Sequence, residues 1–212
     1  MNKATGSAHA TPASKKVVSR AEALWLMIAA AIAAVATTAA AVPGIMAYFA
    51  GPVTLTLPLT TTHQAATGLR LGATAHFGSV EATIPALPTS EATLLAWAGT
   101  LNLIGILAVL ALLFVLAFRL RGENLFTAGS VWIIGSCGVV LAVAGTFGQV
   151  LDSAGRHRVA QAIGANDGGT GESIIFSAHF NVAPLVAGMV LILVAAVFQF
   201  GGRLQKDTEG LV

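Results

Sequence analysis

The residues able to do chemistry in this 212-residue chain fall into four groups. Between two long apolar runs, "FRLRGENLF" (118–126) packs Arg119, Arg121 and Glu123 together. The carboxy end gathers Arg203, Lys206, Asp207 and Glu209. Inside or beside apolar runs stand Asn102, Gln149, His179 and Asn181, with the thiol of Cys137. The rest, His63, His76, Arg156, His157, Arg158, Asp167 and Glu172, lie in the two more polar stretches of the chain.

Catalysis by acid–base or nucleophilic chemistry needs a nucleophile, a base and a group that orients the base. No such set, no paired carboxylates and no CxxC pair can be assembled here, so an enzyme is not expected. No catalytic, cofactor-binding or metal-binding residue is assigned, and no cofactor is expected. A lone cysteine cannot form an internal disulfide, and within "IIGSCGVVL" Cys137 reads as a small packing residue. "GANDGGTGES" (164–173) has neither the ligand spacing of a calcium loop nor the lysine that follows the glycines of a phosphate loop. His63 and His76 lack a paired spacing on one strand face, and "RHR" (156–158) suits lipid phosphates.

These groups must be positioned by elements that the composition already constrains. The chain is 56% hydrophobic and 9% charged, with a mean hydropathy of +0.82. Ordinary soluble domains carry roughly 25% charged residues, so lipid is the expected solvent. The net charge of +2 does not indicate nucleic acid, because the cations cluster at the ends of apolar runs. Direct nucleic-acid binding is not expected.

The expected fold is an all-α membrane protein, a four-transmembrane-helix bundle with a small β-rich external segment between helices 1 and 2. Residues 1–20 form a disordered cytoplasmic tail and 21–212 a single four-span membrane domain. The spans are placed at about 23–50, 92–118, 130–150 and 178–200, each near the ~20 apolar residues that cross a bilayer or longer. External segments then cover 51–91 and 151–177. "AAA" at 39–41 resembles a signal cleavage site, but the first run is far longer than the ~7–15 apolar residues of a signal. A retained helix is the reading adopted.

In "VTLTLPLT", Val53, Leu55, Leu57 and Leu59 alternate with Thr54, Thr56, Pro58 and Thr60, the period of a strand with one buried face. "LRLGATAHF" and "SVEATI" repeat the alternation more weakly. Pro58 belongs at an edge because it cannot donate to a ladder. Open strands cannot face lipid, so this segment lies outside the membrane.

Cations near span ends set orientation. Lys3, Lys15, Lys16, Arg20, Arg119, Arg121, Arg203 and Lys206 fall on one side; Arg70, Arg156 and Arg158 fall on the other. Both termini are therefore expected to be cytoplasmic, in a multi-pass protein of the cytoplasmic (inner) membrane. At the hinge, Arg119 and Arg121 close the second helix, Gly122 turns the chain, Thr127 or Ser130 caps the third helix and Phe126 anchors at the interface. The alternative makes Arg119, Arg121, Glu123, Phe126, Arg203, Lys206, Asp207 and Glu209 one cytoplasmic docking face. The last helix is expected to end at Gly201-Gly202. The acids beyond it do nothing for topology, and their mixture with Arg203 and Lys206 suits either a surface helix or a partner contact.

Asn102 is the one intramembrane polar residue expected to lie deep, as a helix–helix hydrogen bond or as the lining of a path. Gly135, Ser136, Gly138, Ala142, Gly145 and Gly148 allow close helix packing, within the chain or between copies of a homo-oligomer.

"FRLRGENLFTAGSVWIIG" and the terminal "VFQFGGRLQKDTEGLV" together resemble bacterial membrane proteins grouped as domain-of-unknown-function family 2975. Gly122, Asn124, Leu125 and Phe126 match the family's G-x-x-F hinge element with one residue inserted. Phe198, Gly201, Arg203, Leu204, Asp207, Glu209 and Val212 match its last-helix ending. The resemblance runs over about residues 20–212. It implies four spans with an extended first external segment, no established chemistry, and a regulatory partnership with small helix-turn-helix proteins. The function expected is a non-catalytic regulatory or accessory partner in the membrane. The alternatives are a small oligomeric channel or transporter, and a lipid or envelope sensor acting through the external β-like segment.

Overall fold

The computed structural model describes residues 20–58, 79–121, 128–163 and 180–209. In chain order these form α1 (Arg20–Ala50), β1 (Val53–Pro58), β2 (Ser79–Ile84), α2 (Thr89–Arg121), α3 (Ala128–Ala162) and α4 (Ala183–Glu209). The protein is mostly helical, and all four helices are long and apolar enough to cross a membrane. An apolar helix satisfies its own backbone polar groups, which is what a chain so poor in charge requires.

Successive helices run antiparallel and pack in chain order, α1 on α2, α2 on α3 and α3 on α4. Arg20, the α2–α3 hinge and the end of α4 therefore share one end of the molecule, and the sheet lies at the other. No comparable interface joins α1 to α4. The four helices make an open row, so the expected bundle holds in helix number and not in closure. The physical reason lies in the seams. Small residues bring α3 against α4: a Cβ on Gly138 would lie 2.7 Å from the Gly188 carbonyl oxygen, and one on Gly188 2.6 Å from that of Gly138. Gly145 meets the Pro184 side chain, Gly135 meets Ala195, and Gly148 backs onto Ala98 and Leu101 of α2. The glycine stripe is thus used within the chain. Cys137 sits in the α2–α3 seam, its thiol donating to the Ala108 carbonyl at 3.3 Å.

The two strands pair antiparallel, Val53 opposite Ile84, Leu55 opposite Ala82 and Leu57 opposite Val80. Val53, Leu55, Leu57 and Ile84 pack onto Leu95 of α2 and Val159 of α3. Thr54 and Thr83 face outward and approach hydroxyl to hydroxyl at 3.2 Å. The alternation expected over residues 53–60 is realised from Val53 to Leu57, Pro58 ends the strand, and Leu59 and Thr60 lie outside the described residues. "LRLGATAHF" lies outside the described residues.

Two helices outrun their expected limits. α3 continues past residue 150 to Ala162, because "LDSAGRHRVAQA" is polar without being a poor helix former. It carries the i,i+4 pair Asp152–Arg156 and buries Gly155 and Val159 against α2. α4 runs through Gly201-Gly202 to Glu209, so the glycines do not end it. Nothing approaches the position of a Gly201 Cβ, and helix-forming residues follow it. "GANDGGTGES" lies outside the described residues.

Candidate functional site

The polar groups of the described residues gather at the sheet end, where the open side of the row forms a cleft of about 340 Å³. Its floor is small, with Ala98 and Gly99 of α2 and Gly145 and Gly148 of α3. Its polar lining comes from all four helices or their caps: Tyr48, Asn102, Gln149, Asp152, Ser153 and Asn181.

One wall is a clamp between α3 and the start of α4. The Gln149 side-chain amide donates to the Gly145 carbonyl at 3.0 Å and the Asn181 carbonyl at 2.9 Å. Its oxygen accepts the Asn181 backbone N–H at 2.6 Å. The Asn181 side-chain oxygen in turn accepts the Ala183 N–H at 2.9 Å, capping α4 one residue before Pro184. All of the Gln149 amide's chemistry is spent on structure.

The rim is an ion pair that also holds the sheet. Arg156 Nε donates to Asp152 Oδ2 at 2.7 Å, and Nη1 donates to the Thr56 carbonyl at 3.0 Å. That carbonyl belongs to an edge strand of a two-stranded sheet, and among the described residues no third strand donates to it. The bonded Asp152 carboxylate pushes the guanidinium's pKa above its ordinary value, against the opposing effect of burial. At the start of α2, at this same end, the Ser90 hydroxyl lowers the Glu91 carboxyl, assisted by its own backbone amide and by the charge of Arg158.

Asn102 lines the cleft and makes no hydrogen bond among the described residues. It does not bridge two helices, as expected of it. It stands five residues along α2 from Trp97, about 7.5 Å deeper at ~1.5 Å per residue. Trp97, Trp25 and Trp132 are 57%, 71% and 75% exposed, which places these three largest apolar side chains on the outside. Trp97 lies at the cleft's level; Trp25 and Trp132 lie near the opposite end. From Trp97 to Leu116, which packs in the same cluster as Val131 and Ile134, α2 rises about 28 Å.

At the hinge end, Arg119 Nη1 donates to Ser130 Oγ at 2.7 Å. Ser130 is 1% exposed, inside the first turn of α3. It stands inside the helix and not at the cap position, and Thr127, the other expected cap, lies outside the described residues. The guanidinium lies across Gly129, where a Cβ would stand 2.9 Å from Nη2. Arg121 is exposed in the last turn of α2. Glu123 and Phe126 lie outside the described residues. Arg203, Lys206, Asp207 and Glu209 ride on the α4 backbone at this same end.

The described residues hold no cluster of histidine, cysteine or carboxylate groups that could bind a metal. The cleft residues Tyr48, Ser153, Asp152 and Arg156 were not singled out as one site by sequence, although the i,i+4 spacing of the last two was a usable signal. Comparison with protein-family models, characterised proteins and solved structures finds no match to this chain.

Proposed function

We propose that the chain is a multi-pass protein of the cytoplasmic membrane, with four spans and both termini cytoplasmic. In this reading it acts without catalysis, as a regulatory or accessory partner of a cytoplasmic protein. The membrane placement is supported by the exposed tryptophans: the about 28 Å between their two levels is close to the ~30 Å of a hydrocarbon core, and tryptophan favours its boundaries. Orientation is supported by the cation bias toward the end that holds Arg20, Arg119 and Arg121.

The partner role rests on one observation. α4 does not stop where its apolar stretch does, at Gly201, but continues to Glu209. Its last eight residues add about 12 Å of helix with two bases and two acids beyond the span. A topology anchor needs cations alone, whereas a mixed-charge helix that extends past the span at the same end as Arg121 suits a protein contact. The resemblance of the hinge and carboxy end points to a small helix-turn-helix regulator as the class of partner.

Deletion of residues 203–212 tests this directly. Tagged full-length protein in detergent extract is expected to retain a regulator-class protein that the truncated form loses. An identical set of retained proteins would overturn the docking reading. Topology is checked on a Cys137→Ala background: Ala162→Cys should be labelled only from outside intact cells, and Arg121→Cys only after permeabilisation.

A further inference from the structure

We propose that the cleft at the sheet end binds the headgroup of a zwitterionic phospholipid of the ethanolamine type. The ammonium would face Asp152 and Asn102, and the phosphate would face the hydroxyl donors and Arg156. Three observations converge on this.

The first is position. The cleft lies at the level of exposed Trp97 and of the cap that starts α4, which is the membrane boundary in the four-span reading. A headgroup sits at that depth without leaving its bilayer. The second is access. Both α1 and α4 line the cleft but share no interface comparable to those between chain neighbours. The cleft is therefore the part of the gap between them that polar side chains have reached. Acyl chains can continue along the open side of the row while the headgroup fills the polar pocket.

The third is chemistry. Asn102 lies inside the boundary and has no protein partner among the described residues. A polar group left without a partner in an apolar surrounding costs on the order of a few kcal/mol. Something that donates and accepts must therefore meet it. Tyr48 and Ser153 likewise bring hydroxyls that make no hydrogen bond among the described residues. Asp152 uses only Oδ2 toward Arg156, which leaves Oδ1 as an acceptor. The charged side chain that lines the cleft is the Asp152 carboxylate, and Arg156, paired to it beside the lining, balances its charge. An anionic headgroup gains no net attraction there. The ammonium of a zwitterionic headgroup meets the carboxylate directly, and a protonated amine supplies the N–H donors that the carboxylate and carboxamide accept.

This inference rests on the four-span reading and is independent of the partner reading, so failure of the carboxy-terminal truncation test leaves it standing. The experiment uses the full chain in a non-ionic detergent, with dioleoyl-phosphatidylethanolamine, -phosphatidylcholine and -phosphatidylglycerol offered in equal amounts. Native mass spectrometry should show the ethanolamine lipid retained roughly fivefold over each of the others. Asn102→Leu should lower that retention about tenfold, the loss of one hydrogen-bonding group that the headgroup would cover. Equal retention of the three lipids by the wild-type chain would overturn the proposal without reference to any variant. A second measurement guards against a misfolded Asn102→Leu: Ser153→Cys on the Cys137→Ala background should be labelled by maleimide severalfold more slowly with the ethanolamine lipid present. Unchanged labelling counts against the site. Soluble O-phosphoethanolamine supplies the last arm; protection by it equal to that by the lipid would overturn the lipid assignment and make the occupant a free aqueous headgroup.

Discussion

Arg156 and Arg119 stand at opposite ends of α3, and each reaches out to a second element. Arg156 is part of α3 and holds a strand, through an edge carbonyl, while keeping Asp152 as its counter-ion. Arg119 comes from α2 and holds α3 itself, through a hydroxyl that is almost fully buried. The first works beside a half-open polar cleft through Asp152, the second across Gly129 and onto the buried Ser130. Composition and the inside bias account for both cations in the same way. What separates them is the partner. A carboxylate and a backbone carbonyl sit at the edge of a polar cleft, and a buried serine sits in a helix–helix seam.

The comparison depends on α3 behaving as one rigid bar between the two ends. The largest expected effect comes from breaking that bar's seam with α4. Gly138→Ala puts a methyl 2.7 Å from the Gly188 carbonyl oxygen, with Leu191 and Ile192 close behind, so backbone must move. A cost of about 3 kcal/mol is expected, at the upper end of ordinary overpacking. Gly105→Ala is the control, since its methyl would find only Leu141 Cδ1 at 3.6 Å. Steric-trap unfolding in bicelles should show the first variant destabilised and the second neutral or slightly stabilised; similar values for both would mean that the seam is loose.

Next in size is the sheet's tether. Arg156→Ala removes the Thr56 bond and strips Asp152 of its counter-ion. The pair is 27% and 40% exposed, so the ionic part contributes at most about 1 kcal/mol. The charged bond to the edge carbonyl adds about 1.5 kcal/mol. Hydrogen exchange should quicken in residues 53–58 and 79–84 while the α3–α4 seam stays protected. Unchanged exchange in the strands would mean that the apolar cluster of Leu55, Leu57, Leu95 and Val159 holds the sheet without help.

How much of this was legible depended on the range of the signal. The strand face was readable because Val53, Leu55 and Leu57 carry their period within six residues. The four apolar helices were readable because each burial environment is a continuous run. The α3 extension was missed because hydropathy reports lipid and not helix, and residues 151–162 are polar yet helical by pairing and by packing. The α4 extension was missed because Gly201-Gly202 resembles a C-cap, yet no left-handed turn follows. Gln149 and Asn181 meet across 32 residues of chain, which no local pattern encodes. Asn102 was visible as an odd residue in an apolar run. That it faces a cleft and not a neighbouring helix follows only from the open row.

A smaller effect separates the hinge from docking. Arg119→Ala should cost about 1 kcal/mol, since Ser130 loses one partner but its hydroxyl can turn to its own helix. Arg121→Ala, at an exposed position, should stay within about 0.5 kcal/mol. If Arg121→Ala nonetheless weakens partner retention while Arg119→Ala does not, the two arginines divide the labour of fold and contact between them. Equal stability losses would instead assign both to the hinge.

The smallest effect concerns a carboxyl at the sheet end that lies outside the cleft. Glu91 occupies the first turn of α2, where a negative charge meets the helix's positive end. The Ser90 hydroxyl donates to it at 2.5 Å and is the main reason its pKa is lowered. A carboxyl that titrates lower in the folded state stabilises that state above its unfolded pKa. The contribution is lost as pH falls through the lowered folded value, so it is complete at neutral pH and disappears in acid. Because the group is fully exposed, the readout is its own titration and not global stability. Carboxyl-carbon NMR on glutamate-labelled protein should find Glu91 below the ordinary glutamate value, and Ser90→Ala should move it up. A midpoint unmoved by Ser90→Ala would assign the shift to the backbone amide and Arg158, and would tie this turn to the Arg158 side of α3 instead of to its own cap.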